Sequence, residues 1–238
     1  MIQQHATFLH GFTQTGSSWD SLVRLLPSSV TPSCPDAPGH GLNPDGKRTL
    51  SEYASDIAST MQPGVLVGYS MGARMALHVA TLFPQVVSQL VLISGTPGIR
   101  NTEERLARRN SDNSLADHIE DVGVESFINE WLALPLFSGL DSSNDQRSDR
   151  LRNSASGLAN SLRYAGTGTQ DPLWESLSQL AMPVHVIAGE LDSKFVEIAR
   201  EMNDVIPQSE ISIVSSVGHS VHLEDELTTA AILQQLLR

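Results

Sequence analysis

Ser70 stands between two glycines in the stretch VLVGYSMGARMAL (65–77), where three apolar residues run into it and a helix-like run follows at once. The G-x-S-x-G spacing predicts a sharp strand-to-helix turn that exposes the serine Oγ, with Gly68 and Gly72 placed where a larger side chain would collide with backbone. Such a hydroxyl does chemistry only if a base reaches it and a carboxylate orients that base. Asp192 follows the apolar run VHVIAG and His219 follows ISIVSSVG, which gives the chain order serine, acid, histidine. His222 is the rival base, but His219 comes directly after Gly218 at the end of its run. The plainer alternatives are that Asp192 caps a helix and that His219 is an ordinary loop residue. Charge developing on a substrate oxygen would need donors, and the N–H groups of Met71 and of Phe12, in the loop His10-Gly11-Phe12, are the candidates. His10 reads as either a loop-bracing hydrogen bonder or a substrate contact, the first being the better reading, and His40 in PGHG as a structural loop residue.

Those side chains need a scaffold, and short β-like runs alternating with helix-like runs predict one: an α/β fold with a mostly parallel sheet and helices on both faces. Strands are expected at HATFLHG (5–11), within SSVTPSCPDAPGHG, at 65–69, at QLVLISG (89–95), at PVHVIAGELD (183–192) and at ISIVSSVGH (211–219). Helices are expected from Ser17 to Leu26 with Ser17 and Asp20 as a capping pair, over TLSEYASDIASTM with Thr49 and Glu52 capping, after Ser70, and from Glu224 to Leu237. Residues 96–172 show no convincing strand. Trp131, Leu132, Leu134, Leu136 and Phe137 there need something to pack on, so a helical lid is expected at 96–172, inserted into a core made of 1–95 and 173–238.

The chain has 238 residues, a length suited to one α/β unit with an insertion. No apolar run approaches the roughly 18–20 residues that span a bilayer, and the first residues carry no basic leader, so an untargeted cytoplasmic protein without a membrane partner is expected. Cys34 is the only cysteine and reads as a small filler. A net charge of −12 argues against nucleic acid, which needs a positive footprint. Yet eight of the fifteen Lys and Arg residues are arginines between Arg100 and Arg163. Arg74 lies one helical turn after Ser70, close enough to hold a carboxylate beside the reacting atom. Arg105, Arg108 and Arg109 share a helix; for Arg105 and Arg109 a solvated face paired with Glu103, Glu104 and Asp112 is the better reading.

The pieces FLHGF (8–12), PGHG (38–41), GYSMGAR (68–74), GTPGIRNTEERLARRNSD (95–112), Trp131 with LPLF, DQRSDRLRNS (145–154), GELDSKF (189–195) and GHSVH (218–222) carry a resemblance. The chain resembles the α/β-hydrolase superfamily over its whole length. Within it, the chain is similar to the 2-succinyl-6-hydroxy-2,4-cyclohexadiene-1-carboxylate (SHCHC) synthase family of menaquinone biosynthesis. One departure is Ala73, where that family commonly has a second glycine after the serine and its neighbour. The resemblance implies a lyase that removes a proton and eliminates pyruvate without metal or cofactor. It further implies Ser70, Asp192 and His219 as the catalytic triad, Arg74, Arg108 and Arg152 as binders of substrate carboxylates, and Tyr69 and Trp131 as pocket residues. The partner expected is a small tricarboxylate substrate, and the chain is expected to be a monomer or weak dimer. Two alternatives stay open: an esterase or carbon–carbon bond hydrolase forming an acyl-enzyme on Ser70, and a non-catalytic binding module on the same scaffold.

Overall fold

The computed structural model describes residues 3–237; positions 1, 2 and 238, the outermost of the expected core, lie outside them. Six strands, β1 (Gln4–Leu9), β2 (Val30–Ser33), β3 (Gly64–Tyr69), β4 (Val87–Ile93), β5 (Val184–Gly189) and β6 (Ser209–Val214), form one sheet in the order β2-β1-β3-β4-β5-β6. All five pairings among the described residues are parallel. Parallel strands need long crossovers, and helices supply them: α1 (Asp20–Arg24), α2 (Leu50–Thr60), α3 (Met71–Leu82), α4 (Thr102–Leu132), α5 (Arg147–Arg150), α6 (Ala155–Ala165) and α7 (Ser193–Val205), with α8 (Val221–Glu224) and α9 (Glu226–Leu236) following the last strand.

The period-2 geometry of a strand sends alternate residues to opposite faces, and both faces are covered. Val65 and Val67 of β3 pack with Phe8, Trp19, Val91 and Leu233 on one side; Leu66 packs with Tyr53, Leu77, Leu90 and Met202 on the other. Strand β3 is buried at every position, as its unbroken apolar run requires. The capping box expected at Thr49 and Glu52 starts α2. The helix expected at 17–26 is instead a single 3₁₀ turn (Gly16–Trp19) running into the short α1. Its cap is Thr15, whose hydroxyl accepts from the Ser17 N–H, so Ser17 and Asp20 do not form the expected pair. The closing helix is likewise two pieces, because Asp225 turns the chain between α8 and α9 and its carboxylate accepts from the Thr228 N–H.

Between β4 and β5 the chain forms α4, α5 and α6. Ala116, Ile119, Phe127 and Ile128 of α4 and Leu158, Ala159 and Leu162 of α6 make a third apolar cluster, separate from the two on the sheet. Helix α4 is kinked at Gly123, with φ 77° and ψ 167°, a backbone region that only glycine adopts without strain. The kink sets the turns carrying Arg108 at an angle to the turn carrying Trp131. The strand order reverses between β1 and β3, and in open parallel sheets ligands bind at that reversal, beyond the carboxyl ends of the strands. Phe12 follows β1 there and Ser70 follows β3.

Candidate active site

Ser70 joins β3 to α3 with φ 52° and ψ −105°, a strained conformation for a residue bearing a side chain. Gly68 and Gly72 make it possible. A Cβ on Gly72 would sit 2.0 Å from the Leu9 carbonyl oxygen, and one on Gly68 would sit 2.4 Å from the Gly72 carbonyl oxygen. Ala73 fits because its neighbour gives way: a Cβ on Gly95 would lie 2.5 Å from the Ala73 methyl. Two later loops deliver the partners. The Ser70 Oγ lies 3.0 Å from His219 Nε2, and His219 Nδ1 lies 2.7 Å from Asp192 Oδ2. An ionised carboxylate only accepts, so Nδ1 carries the proton and donates to Asp192, which leaves Nε2 to accept from the serine. Asp192 also accepts weakly from the Phe195 N–H and caps α7, so the two readings of that residue coexist.

The loop bearing His219 is held on both sides. Glu224 accepts from the Gly218 N–H at 2.7 Å with one oxygen and from the Ser220 N–H at 2.9 Å with the other. The Ser94 hydroxyl donates to the His219 carbonyl at 2.8 Å. The rival His222 lies behind the site, its ring 4.6 Å from that of Trp19 and 4.3 Å from that of Tyr69, and burial pushes its pKa down to about 3.

A cavity of about 600 Å³ opens over Ser70 and His219. Phe12, Tyr69, Met71, Trp131 and Phe137 line it, with Arg74, Arg108 and Arg150 among the cations. Met71 is the first residue of α3, so its N–H has no intrahelical acceptor. Arg74 is 6% exposed and donates to the Ala165 carbonyl at 2.9 Å. Arg150 is 1% exposed and donates to the Asp145 carbonyl and the Thr13 hydroxyl. Neither guanidinium has a carboxylate partner among the described residues. Burial, then the nearby Arg108, brings the pKa of Arg74 down to about 10, and burial lowers that of Arg150 as well. Arg108 is half exposed and held by Asp112 at 2.7 Å. Two buried, charged and unpaired guanidiniums beside a polarised serine are costly unless an anion joins them.

The Alpha/beta hydrolase family model matches residues 8–232. A Bacillus subtilis (strain 168) protein, provisionally named 2-succinyl-6-hydroxy-2,4-cyclohexadiene-1-carboxylate synthase, is 40% identical over 243 residues, covering 96% of this chain and 88% of that one. The chain belongs to the SHCHC synthase family of alpha/beta hydrolases. A Klebsiella pneumoniae protein of the same synthase name is 28% identical over 97% of this chain and 92% of its own. The solved structure of MenH from S. aureus superposes with a TM-score of 0.92 at 30% identity, over all of this chain and 94% of that one.

For this SHCHC synthase family member, the structure brings Ser70, Asp192 and His219 into one hydrogen-bonded line and places Phe12, Tyr69, Met71, Arg74, Arg108 and Trp131 on the cavity wall. It does not bring Arg152 there. That side chain points away, to the Ser17 hydroxyl at 3.1 Å and Asp149 at 2.9 Å, in a surface recess with Gly16, Cys34 and Asp36. Arg150, two residues earlier, faces the cavity instead. Residues two apart on a helical turn point to nearly opposite sides, and Asp149, fixed by the Thr15 hydroxyl, draws Arg152 outward. Asp112 pairs with Arg108 rather than with Arg105 or Arg109, because one helical turn separates 108 from 112. His10 accepts from the Ala37 N–H and His40 from the Thr13 N–H, as loop braces.

Proposed function

We propose that this chain is a lyase that eliminates pyruvate from 2-succinyl-5-enolpyruvyl-6-hydroxy-3-cyclohexene-1-carboxylate to give SHCHC, the menaquinone-pathway step named for its B. subtilis and K. pneumoniae relatives. The observation that carries the reading is the pair of buried guanidiniums, Arg74 and Arg150, which have no carboxylate partner among the described residues, beside the Ser70–His219–Asp192 line. Their charge suits a substrate with several carboxylates; a pocket for neutral esters gains nothing from buried cations. In this reading Arg74, Arg108 and Arg150 hold the carboxylates, Tyr69 and Trp131 flank the ring, and the segment 96–172 closes over it as a lid.

Ser70 Oγ takes the ring proton next to the succinyl ketone while passing its own to His219 Nε2, and Asp192 stabilises the imidazolium that forms. The negative charge that builds on the ketone oxygen faces the N–H groups of Phe12 and Met71. The electron pair moves through the ring and breaks the C–O bond to the enolpyruvyl group. The departing enolate takes a proton back and becomes pyruvate, which restores the neutral histidine.

A lactate-dehydrogenase-coupled assay with the enolpyruvyl substrate, run beside a panel of activated esters, tests the reading. Rapid pyruvate release with feeble ester turnover is expected. A well-folded sample that hydrolyses the esters and releases no pyruvate would rule it out.

A further inference from the structure

Thr13 is completely buried, β-branched and in the left-handed region, with φ 69°. The Gln14 N–H closes a turn onto the Gly11 carbonyl at 3.2 Å, which makes Phe12 and Thr13 its central residues. A positive φ at the second of these is the place turns of this kind reserve for glycine or asparagine, so a threonine there is strained unless its surroundings hold it. They hold every polar atom it has. Its N–H donates to His40 Nε2 at 3.3 Å, its carbonyl accepts from Asn153 Nδ2 at 2.6 Å, and its hydroxyl accepts from Arg150. Asn153 is itself tied down, with Nδ2 also on the Arg150 carbonyl at 2.9 Å and Oδ1 accepting from the Gly41 N–H at 2.8 Å. On the other side of Phe12, the Gly11 N–H donates to Gln14 Oε1 at 2.9 Å.

We propose that Thr13 is a positioning residue: its clamped left-handed backbone aims Phe12 at the cavity, and its bond to Arg150 joins the grip on a substrate carboxylate to the donor that meets the developing oxyanion. The proposal rests on the reading that the cavity binds a carboxylated substrate and uses the Phe12 N–H. Relaxation of Thr13 to negative φ would flip the peptide between Phe12 and Thr13 and move Phe12 from its place on the cavity wall. Arg150 and Asn153 come from the segment between β4 and β5, whereas Thr13 follows β1, so that segment contributes to the oxyanion side of the site as well as to its roof.

The test compares Thr13→Val, which keeps the shape and loses the hydroxyl, with Thr13→Ser, which keeps the hydroxyl, and Thr13→Gly, which adopts the positive φ freely. Each is assayed for kcat and KM of pyruvate release, for melting temperature, and for the rate at which a phosphonofluoridate labels Ser70, followed by intact mass. For Thr13→Val the expected result is a kcat lower by roughly 10- to 100-fold with a smaller change in KM, and a similar loss in labelling rate. Thr13→Ser is expected to recover most of both. Thr13→Gly is expected to melt no lower than Thr13→Val while remaining slow, a split that a merely structural threonine would not give. Folded Val and Gly variants with wild-type kcat and labelling rate would overturn the proposal, as would a serine variant as slow as the valine one. Wild-type protein that releases no pyruvate would instead refute the lyase reading, and the labelling rates would still judge the role of Thr13.

Discussion

At the scale of single residues, the proposed chemistry rests on two guanidiniums, Arg74 and Arg150, that the fold buries with no carboxylate partner among the described residues. Arg150→Ala should lower kcat/KM for pyruvate release by roughly 10- to 150-fold, the worth of a charge-assisted contact of about 1.5–3 kcal/mol, whereas Arg152→Ala should leave it within about twofold. Steady-state kinetics on the two purified variants checks this, and equal losses would return Arg152 to the site. The contrast also marks what the sequence could and could not reveal. Ser70, Asp192 and His219 were legible because each follows a strand in a fixed chain order, and Arg74 because one helical turn is a fixed distance. Arg150 was not. The run RSDRLRN has a single apolar residue, so no hydrophobic period says which arginine turns inward, and the deciding contacts come from Thr13 and Asp149. Glu224 was missed for a related reason: its two bonds to the backbone around His219 depend on the break between α8 and α9.

At the scale of elements, the sheet follows directly from residue patterning, since every expected strand is present and continuous apolar runs such as that of β3 belong to strands covered on both faces. The helices do so only in part: α7 was not expected, and the helices expected at 17–26 and 224–237 are shortened or divided. The kink in α4 was hidden because one glycine in a helical run has no distinctive neighbours. Nothing lies within 4 Å of a Cβ built on Gly123, so the glycine serves the backbone conformation alone. Gly123→Ala should therefore cost roughly 1–3 kcal/mol of stability or straighten the helix. If the helix straightens, the angle between the Arg108 turns and the Trp131 turn changes, and KM should rise more than kcat falls. Urea denaturation together with steady-state kinetics measures both. An alanine variant with unchanged midpoint and unchanged KM would show that the kink does not set the cavity wall.

At the scale of the whole molecule, an acidic chain concentrates positive charge in one crevice and buries neutral histidines around it. Burial pushes His40 and His222 down to about 3 from an ordinary 6.5, and His10 is lowered by the same cause. Between those limits the unfolded chain binds protons that the folded chain refuses, so stability is lost as pH falls below 6.5, by about 1.4 kcal/mol per pH unit for each such histidine. Denaturant midpoints should drop steeply between pH 7 and 5, above the range in which carboxylates titrate. A flat profile there would mean that these rings take up protons in the fold. In the proposed elimination the Ser70–His219 pair removes a proton and makes no bond to carbon. Single-turnover pyruvate release from substrate deuterated at the carbon beside the ketone, with intact mass of the protein recorded over the same interval, tests this most directly. Release several-fold slower than from the protiated substrate, with Ser70 unmodified throughout, is the expected result; equal rates and a covalent adduct on Ser70 would contradict it.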